Sequence, residues 1–259
     1  MSRYLIAVTH VAVAGLMATT AFQPLAAIAQ TMNWPTYNGD LAGSRYLPID
    51  QINAGNFKDL EVAWRYKTDR NGPRPEYKLE GTPLAVDGVI YATAGTRRGV
   101  VALDGATGEL IWSHSLREGA RAAASPRALS GRGLSFWTDG KEKRILYVTP
   151  GYRLVALDAA TGARIMDFGK DGVVDLKEDF DQELKGGLET GEVGLHAAPA
   201  VSGNTIIIGA AFREGYTAAD HANTKGYVRG FDVRTGKRMW TFHTIPQKGE
   251  FGYDTWLKD

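Results

Sequence analysis

The sequence predicts an all-β fold built from repeated four-stranded sheets, the pattern of a partial β-propeller with about three to four blades. Three observations carry this prediction. A motif of the form A-x-D-x-x-T-G-x-x-x-W occurs three times, and a segment with strand character precedes each copy. The 259 residues also include 31 glycines, 6 tryptophans and 11 tyrosines, which is typical of a turn-rich β protein rather than a helical bundle.

The N-terminus has the features of an export signal. Arg3 is the only charged side chain in the first 39 residues; an apolar run over residues 5–22 and the small-x-small sequence ending at Ala29 follow it. This order predicts a signal peptide over residues 1–29, cleaved after Ala29, and a periplasmic location for residues 30–259. The alternative is a retained membrane anchor, since the apolar run is near the lower length limit for a span.

The three motif copies are centred on Asp104, Asp158 and Asp232. Trp112 and Trp240 end the first and third copies, and methionine replaces tryptophan in the second. The aspartate can accept hydrogen bonds from backbone amides in a tight turn, and the glycine can adopt a positive φ. The tryptophan lies on the outgoing strand, where it can stack on the next unit. Because the aspartates recur once per copy, we expect them to form turns and not to act as catalysts.

Strand segments precede the three copies, at residues 82–93, 144–149 and 198–209. Hairpin turns are expected at residues 86–89 and 201–204. Residues 57–66, which include Val-Ala-Trp, resemble the closing strand of an earlier copy. An acidic, glycine-containing stretch over residues 171–194 is interpreted as an inserted, solvated loop, because its acidic residues do not have EF-hand spacing.

The composition excludes several classes of function. Thirty basic and 29 acidic residues give a net charge of only +1, which argues against a nucleic-acid partner. The absence of cysteine excludes disulfides, iron–sulfur clusters, a covalently attached c-type haem and a cysteine nucleophile within this sequence. No phosphate-binding loop, zinc-protease helix or nucleophile elbow is found in it.

Several short segments, taken together and in order, resemble one known family. They are the opening W-P-T-Y-N-G-D at residues 34–40, R-Y at 45–46, D-Q-I-N at 50–53, E-G-T-P-L at 80–84, R-G-L-S-F-W at 132–137 and K-G-Y-V-R-G-F-D at 225–232. With the tryptophan motif, they are similar to the pyrroloquinoline-quinone-dependent dehydrogenases. The resemblance implies an eight-bladed propeller with the quinone and a calcium ion in the central channel, of which this chain is the N-terminal part.

Matched motif positions imply the residues that hold these groups. Glu80, Arg132 and His196 match residues that contact the quinone, and Ala210 and Ala211 fall on the backbone segment that lines it. The matched calcium ligand is Glu214. No catalytic residue is expected in this chain, because the family's catalytic aspartate, a quinone-binding lysine and the other calcium ligands occur later in sequence. The chain alone is therefore expected to be inactive.

The residue chemistry agrees with these assignments. Pyrroloquinoline quinone has three carboxylates, which arginine can bind in a bidentate manner. Calcium prefers carboxylate and carbonyl oxygens and polarises a carbonyl as a Lewis acid. One departure concerns residues 125–127, where Ser-Pro-Arg replaces the adjacent cysteines of many alcohol-oxidising members. This departure favours the glucose dehydrogenase-like, sugar- and polyol-oxidising branch, in which His196 helps to cover one face of the quinone.

The resemblance implies oxidation of a hydroxyl group of a sugar, polyol or alcohol, with hydride transfer to the quinone. Electrons would then pass to ubiquinone or a cytochrome, which must be supplied from elsewhere. Two alternatives remain at this point, a non-catalytic propeller scaffold for protein partners and a lectin-like sugar binder. The scaffold gains support if Arg132, His196 and Glu214 lie far from the propeller axis, and the enzyme gains support if they converge.

Overall fold

The computed structural model describes residues 32–69, 71–73, 76–129, 131–212, 218, 220 and 223–256. The predicted signal peptide, with its membrane-anchor alternative, and the predicted calcium ligand Glu214 lie outside the described residues. Across those described ranges, no helix combines the length and the apolar character needed to cross a bilayer.

Three four-stranded antiparallel sheets form the fold, each with its strands in sequential order. The first sheet contains β1 (Leu84–Val86), β2 (Val89–Ala94), β3 (Gly99–Asp104) and β4 (Leu110–His114). The second contains β5 (Ser135–Thr138), β6 (Lys143–Val148), β7 (Arg153–Asp158) and β8 (Val173–Asp175). The third contains β9 (Ala200–Ser202), β10 (Thr205–Ile208), β11 (Val228–Asp232) and β12 (Arg238–Phe242).

Among the described residues, helical structure is limited to short pieces outside the sheets. The helices are α1 (Gly119–Ala123) and α2 (Gly187–Thr190), and 3-10 turns occur at Phe57–Asp59 and Tyr253–Thr255. The prediction of an all-β, partial propeller fold is therefore confirmed.

The repeated aspartates form the turns that the motif predicts. The Asp104 carboxylate accepts hydrogen bonds from the amides of Ala106 and Thr107 at 2.9 and 2.8 Å and from the Thr107 hydroxyl at 3.1 Å. Asp158 and Asp232 make the same three contacts in their own sheets. Their role in the described structure is to fix a turn between two strands, as predicted.

Tryptophans connect successive repeats. The Trp112 indole donates to the carbonyl of Ala159 at 3.0 Å, in the turn of the second sheet. A Cβ added to Gly162 in that turn would lie 2.5 Å from the Trp112 ring, so only glycine leaves room for the indole. Trp64 contacts Gly105 and Gly108 of the first sheet in the same way. The predicted stacking of tryptophan on the next unit is confirmed at both places.

Two predicted elements differ from the structure. Residues 57–66 form a 3-10 turn followed by irregular chain instead of the expected closing strand, although Trp64 within them docks as described. The interpretation of residues 171–194 as loop throughout is wrong, since β8 completes the second sheet from within this stretch. The reason is that Met166, at the tryptophan position, is 56% exposed, and Val174 and Phe168 pack against the Gly236 turn in its place.

The hydrophobic core lies between neighbouring sheets. Ile145 and Tyr147 of β6 pack toward the first sheet, whereas Leu146 and Val148 of the same strand pack toward the third. Successive side chains of a strand point to opposite faces, so the second sheet is buried on both sides. The first strands of the sheets lie near one another: β5 contacts β9, and Thr82 and Gly133, just before β1 and β5, form a bridge.

Candidate functional site

The site is formed by the segments that lead into the first strand of each sheet. Glu80, Arg132 and His196 precede β1, β5 and β9 by three or four residues. The Arg132 amide donates to the His196 carbonyl at 2.9 Å, and the Thr82 amide donates to the Arg132 carbonyl at 3.2 Å. Residues that are distant in sequence are therefore brought together by backbone hydrogen bonds between the three lead-in segments.

Glu80 and His196 form a direct pair within this cluster. The Nε2 atom of His196 lies 2.9 Å from Oε2 of Glu80, and Lys78 lies 3.3 Å from the other carboxylate oxygen. The hydrogen bond from His196 and that from Lys78 lower the pKa of Glu80 below its ordinary value. An ionised carboxylate can only accept hydrogen bonds, so Nε2 of His196 carries the hydrogen.

The imidazole of His196 favours the neutral form. Burial is the main reason that its pKa lies below the ordinary value, and the charges of Arg98 and Arg132 act in the same direction. The hydrogen bond to Glu80 opposes them. At neutral pH the pair is therefore an imidazole bound to a carboxylate, with the ring about a quarter exposed and open to a ligand.

Arg132 is exposed and lines a pocket of about 290 Å³. The other walls are Ser135 and Phe136 at the start of β5, the chain from Ala197 to Val201, and the N-terminal segment that includes Tyr37. This pocket is bordered by the first strands of the second and third sheets; Asp40 also lines it, whereas Glu80 and His196 do not. A guanidinium group at such a place can bind a carboxylate, and the role of Arg132 stays a prediction.

Ala210 and Ala211 adjoin the same region through their backbone. The Ala211 amide and carbonyl form two hydrogen bonds, of 2.7 and 2.9 Å, with Gly194, two residues before His196. Ala210 packs against the core between the second and third sheets. The predicted lining segment is therefore attached to the His196 lead-in.

In the described part of the chain, no group of three or more carboxylates or histidines could hold a metal ion. The predicted ligand Glu214 follows the Ala210–Ala211 segment by a few residues and is not among the described ones. The calcium assignment therefore stays a prediction.

The donors present fit a planar polyanion. Arg132 offers a cationic fork, His196 offers one face of its ring, and Lys78 balances the charge of Glu80. Sequence reasoning missed Arg98, whose buried guanidinium lies directly behind the lead-in segments. The signal that could have found it is the sequence T-R-R-G in a hairpin turn, where a second arginine occupies a position that usually takes glycine or asparagine.

Comparison with known proteins agrees with this geometry. Residues 34–258 match the family profile of the PQQ glucose, ethanol and alcohol dehydrogenase β-propeller domain. The dehydrogenase subunit of a quinone alcohol dehydrogenase from Gluconacetobacter polyoxogenes is 33% identical over 215 residues, which is 83% of this chain and 26% of that protein. Quinoprotein glucose dehydrogenase A from Acinetobacter calcoaceticus is 30% identical, covering 82% of this chain and 28% of that protein.

A solved structure shows the same fold. The quinohemoprotein alcohol dehydrogenase from Comamonas testosteroni superposes with a TM-score of 0.64 at 30% identity, over 84% of this chain and 28% of that one. The chain spans about a quarter of the length of the curated relatives that it matches. With the family profile matched across all three described sheets, the chain belongs to the quinoprotein alcohol and glucose dehydrogenase family of PQQ β-propellers.

Proposed function

We propose that this chain carries one wall of the pyrroloquinoline quinone site of a dehydrogenase that oxidises a hydroxyl group of an alcohol, sugar or polyol. The observation that supports this most directly is the convergence of Glu80, Arg132 and His196 at the lead-in segments of three different sheets. A scaffold or sugar-binding propeller has no requirement for a guanidinium and an imidazole–carboxylate pair at that point.

Each residue has a separate role in this proposal. Arg132 binds a ligand carboxylate through paired N–H donors. His196 covers one side of the ligand, and its hydrogen bond to Glu80 fixes the orientation of the ring. When bound, the quinone supplies a two-electron acceptor for the hydride of the substrate.

The finer assignments extend the same proposal. Glu214 contributes a carboxylate ligand to calcium, the chain is exported to the periplasm, and electrons pass from the bound cofactor to ubiquinone or a cytochrome. The branch of the family is glucose dehydrogenase-like, because residues 125–127 contain no cysteine. The relatives that share this region are about three times as long as this chain, so the described wall alone is expected to bind quinone weakly and to give no turnover.

An NMR titration of the 259-residue chain with pyrroloquinoline quinone tests the site. Amide shifts are expected to be largest in the three lead-in segments, and Arg132→Gln is expected to weaken binding about tenfold or more, because a charge-assisted contact is lost. Arg65→Gln is the matched control, since Arg65 is an exposed arginine next to Trp64. Shifts confined to other surfaces, or equal affinities for Arg132→Gln and wild type, would contradict the proposal.

Turnover is tested separately. The chain is mixed with quinone, calcium and an artificial electron acceptor, and oxidation of glucose, glycerol and ethanol is followed. No turnover is expected, and robust activity would refute the expectation that the rest of the site lies elsewhere.

A further inference from the structure

Arg98 occupies an unusual backbone position in the turn between β2 and β3. Its φ is 51°, in the left-handed region, and its amide donates to the Gly95 carbonyl at 3.0 Å. This conformation is unfavourable for a residue with a long side chain, and glycine or asparagine would adopt it more easily. Yet Arg98 is only 2% exposed, so its side chain points into the protein instead of into solvent.

The guanidinium group of Arg98 binds four backbone carbonyls. Nε donates to Leu129 at 3.0 Å, Nη1 donates to Val148 at 2.9 Å and to Leu195 at 2.7 Å, and Nη2 donates to Arg127 at 2.6 Å. These acceptors belong to the loop before β5, the end of β6 and the segment before β9. Only the planar fork of arginine reaches acceptors in so many directions, because a lysine ammonium group is a single point.

The same group packs against the place where two lead-in segments meet. A Cβ added to Gly131 would lie 2.8 Å from Nε of Arg98 and 3.1 Å from the His196 carbonyl oxygen. Next to it, the Arg132 amide donates to that carbonyl. Arg98 therefore supports from behind the contact that joins Arg132 to His196.

Arg98 also keeps its charge in this position. Burial lowers its pKa to about 10, which still leaves the group protonated at neutral pH. All four hydrogen-bond acceptors are neutral carbonyl oxygens, and the nearby carboxylates of Glu118 and Glu76 favour the charged form. The charge of Arg98 in turn lowers the pKa of His196, so it acts at the site. Behind a site for a polyanion, such a fixed charge is favourable in a region of low dielectric constant.

The corresponding turn of the second sheet repeats the arrangement. Tyr152, between β6 and β7, has a φ of 63° and donates its amide to Thr149 at 3.0 Å, as Arg98 does to Gly95. Its buried hydroxyl donates to the carbonyl of Gly209 at 2.8 Å, next to Ala210. The same turn position in two sheets therefore reaches a segment of the candidate site.

From these contacts we infer that Arg98 is a positioning residue of the quinone site: it holds the Arg132 and His196 segments together and places a fixed positive charge behind them. The inference rests on the proposed function for the identity of the ligand. The contacts themselves do not depend on the ligand, so the first test is made on the chain without quinone.

The first test compares Arg98→Lys and Arg98→Met by amide hydrogen exchange and by NMR titration of His196. In both variants the Arg132 amide is expected to exchange at least about tenfold faster. The reason is that the guanidinium group no longer holds the neighbouring Leu195 carbonyl, so the His196 carbonyl that accepts from the Arg132 amide is fixed less firmly. The pKa of His196 is expected to rise in Arg98→Met, where the positive charge is lost, and to change little in Arg98→Lys. The other groups that act on His196, Glu80 and Arg132, are unchanged in both variants.

Arg121→Lys is the matched control. Arg121 is also buried, and it donates to the backbone carbonyl of Gly151 at 2.7 Å and to the carboxylate of Asp175, contacts that lie between α1 and the second sheet. The Arg121→Lys variant is expected to leave the Arg132 amide and the His196 titration unchanged. If Arg98→Met does not fold, the Arg98→Lys exchange rate alone decides, and wild-type exchange at Arg132 in a folded variant would overturn the inference.

The second test adds pyrroloquinoline quinone to the same variants. Arg98→Met is expected to weaken binding about tenfold or more, and Arg98→Lys to weaken it less, since lysine keeps the charge. If the wild-type chain shows no quinone-induced shifts, the proposed function fails while the exchange result still decides the positioning role. If wild type binds and Arg98→Met binds equally well, the inference itself is wrong.

Discussion

At the scale of single residues, the Glu80–His196 pair shows how burial and hydrogen bonding set protonation in opposite directions. Burial disfavours the imidazolium form of His196, while the hydrogen bond to Glu80 favours it. The same hydrogen bond, aided by Lys78, keeps Glu80 ionised. A neutral ring held by a carboxylate presents a flat apolar face, which suits contact with a planar ligand.

Replacement of Glu80 tests this balance. In Glu80→Gln the hydrogen bond that favours the protonated ring is weakened, so the pKa of His196 should fall further below its ordinary value. NMR titration of the ring protons measures the change, and Glu61→Gln, an exposed carboxylate in irregular chain, is the control. An unchanged titration of His196 would show that the pair does not persist in solution.

The Glu80→Gln variant should also change how the free energy of unfolding depends on pH. Because the folded-state pKa of Glu80 is lowered, its contribution to stability is present above the ordinary pKa of 4.5 and is lost as the pH falls through the folded value. The difference in unfolding free energy between wild type and Glu80→Gln should therefore disappear in acid.

Arg132, His196 and Glu80 could be assigned from motif resemblance, and each falls at a lead-in segment. The hydrogen bond between Glu80 and His196 could not be predicted in this way, because it depends on how the first strands of the sheets align. Arg98 could not be predicted from the sequence for a different reason. A polar turn such as T-R-R-G normally predicts solvent exposure, and only the left-handed backbone directs the second arginine inward.

At the scale of elements, the repeated turn carries most of the predictable structure. The aspartate, threonine and glycine of the motif interact within a few residues, so their geometry follows from local sequence. The position of the fourth strand of the second sheet does not follow from local sequence. Methionine at position 166 removes the docking tryptophan, and β8 comes from a stretch whose acidic composition indicates a loop.

Substitutions at two glycines distinguish the cost of backbone strain from the cost of lost packing in these turns. Gly162 and Gly203 both have positive φ, at 70° and 56°, but a Cβ would meet the Trp112 ring at Gly162 and open space at Gly203. We expect Gly203→Ala to cost about 1 kcal/mol and Gly162→Ala to cost a further 1–3 kcal/mol or so, from the displaced indole. Urea denaturation of both variants measures the difference, and equal losses would mean that the indole does not dock as described.

At the scale of the whole molecule, the two junctions between sheets use different contacts. The first is joined by the indole of Trp112, which donates to Ala159. The second is joined by Trp137, which donates to Gly203 at 3.1 Å, and by Arg144, which donates to the turn that follows β11. Loss of the motif tryptophan in the second repeat is therefore offset by side chains of other strands.

Arg144→Met should weaken the second junction selectively. Amide exchange in β10 and β11 is expected to accelerate more than in β2 and β3, because about 1–3 kcal/mol of buried charge-assisted hydrogen bonding is removed at one side only. Trp112→Phe, which deletes the indole N–H at the first junction, should give the opposite distribution. Uniform acceleration in both variants would indicate one cooperative unit without separate junctions.

The lead-in segments have a consequence for how distant changes act. Glu80, Arg132 and His196 each precede a different sheet. The distances between these side chains therefore depend on the angle between neighbouring sheets. A substitution that changes this angle, at a contact between sheets far from the candidate site, therefore changes the distance between Arg132 and His196. In this architecture, ligand affinity is thus sensitive to the angle between neighbouring sheets.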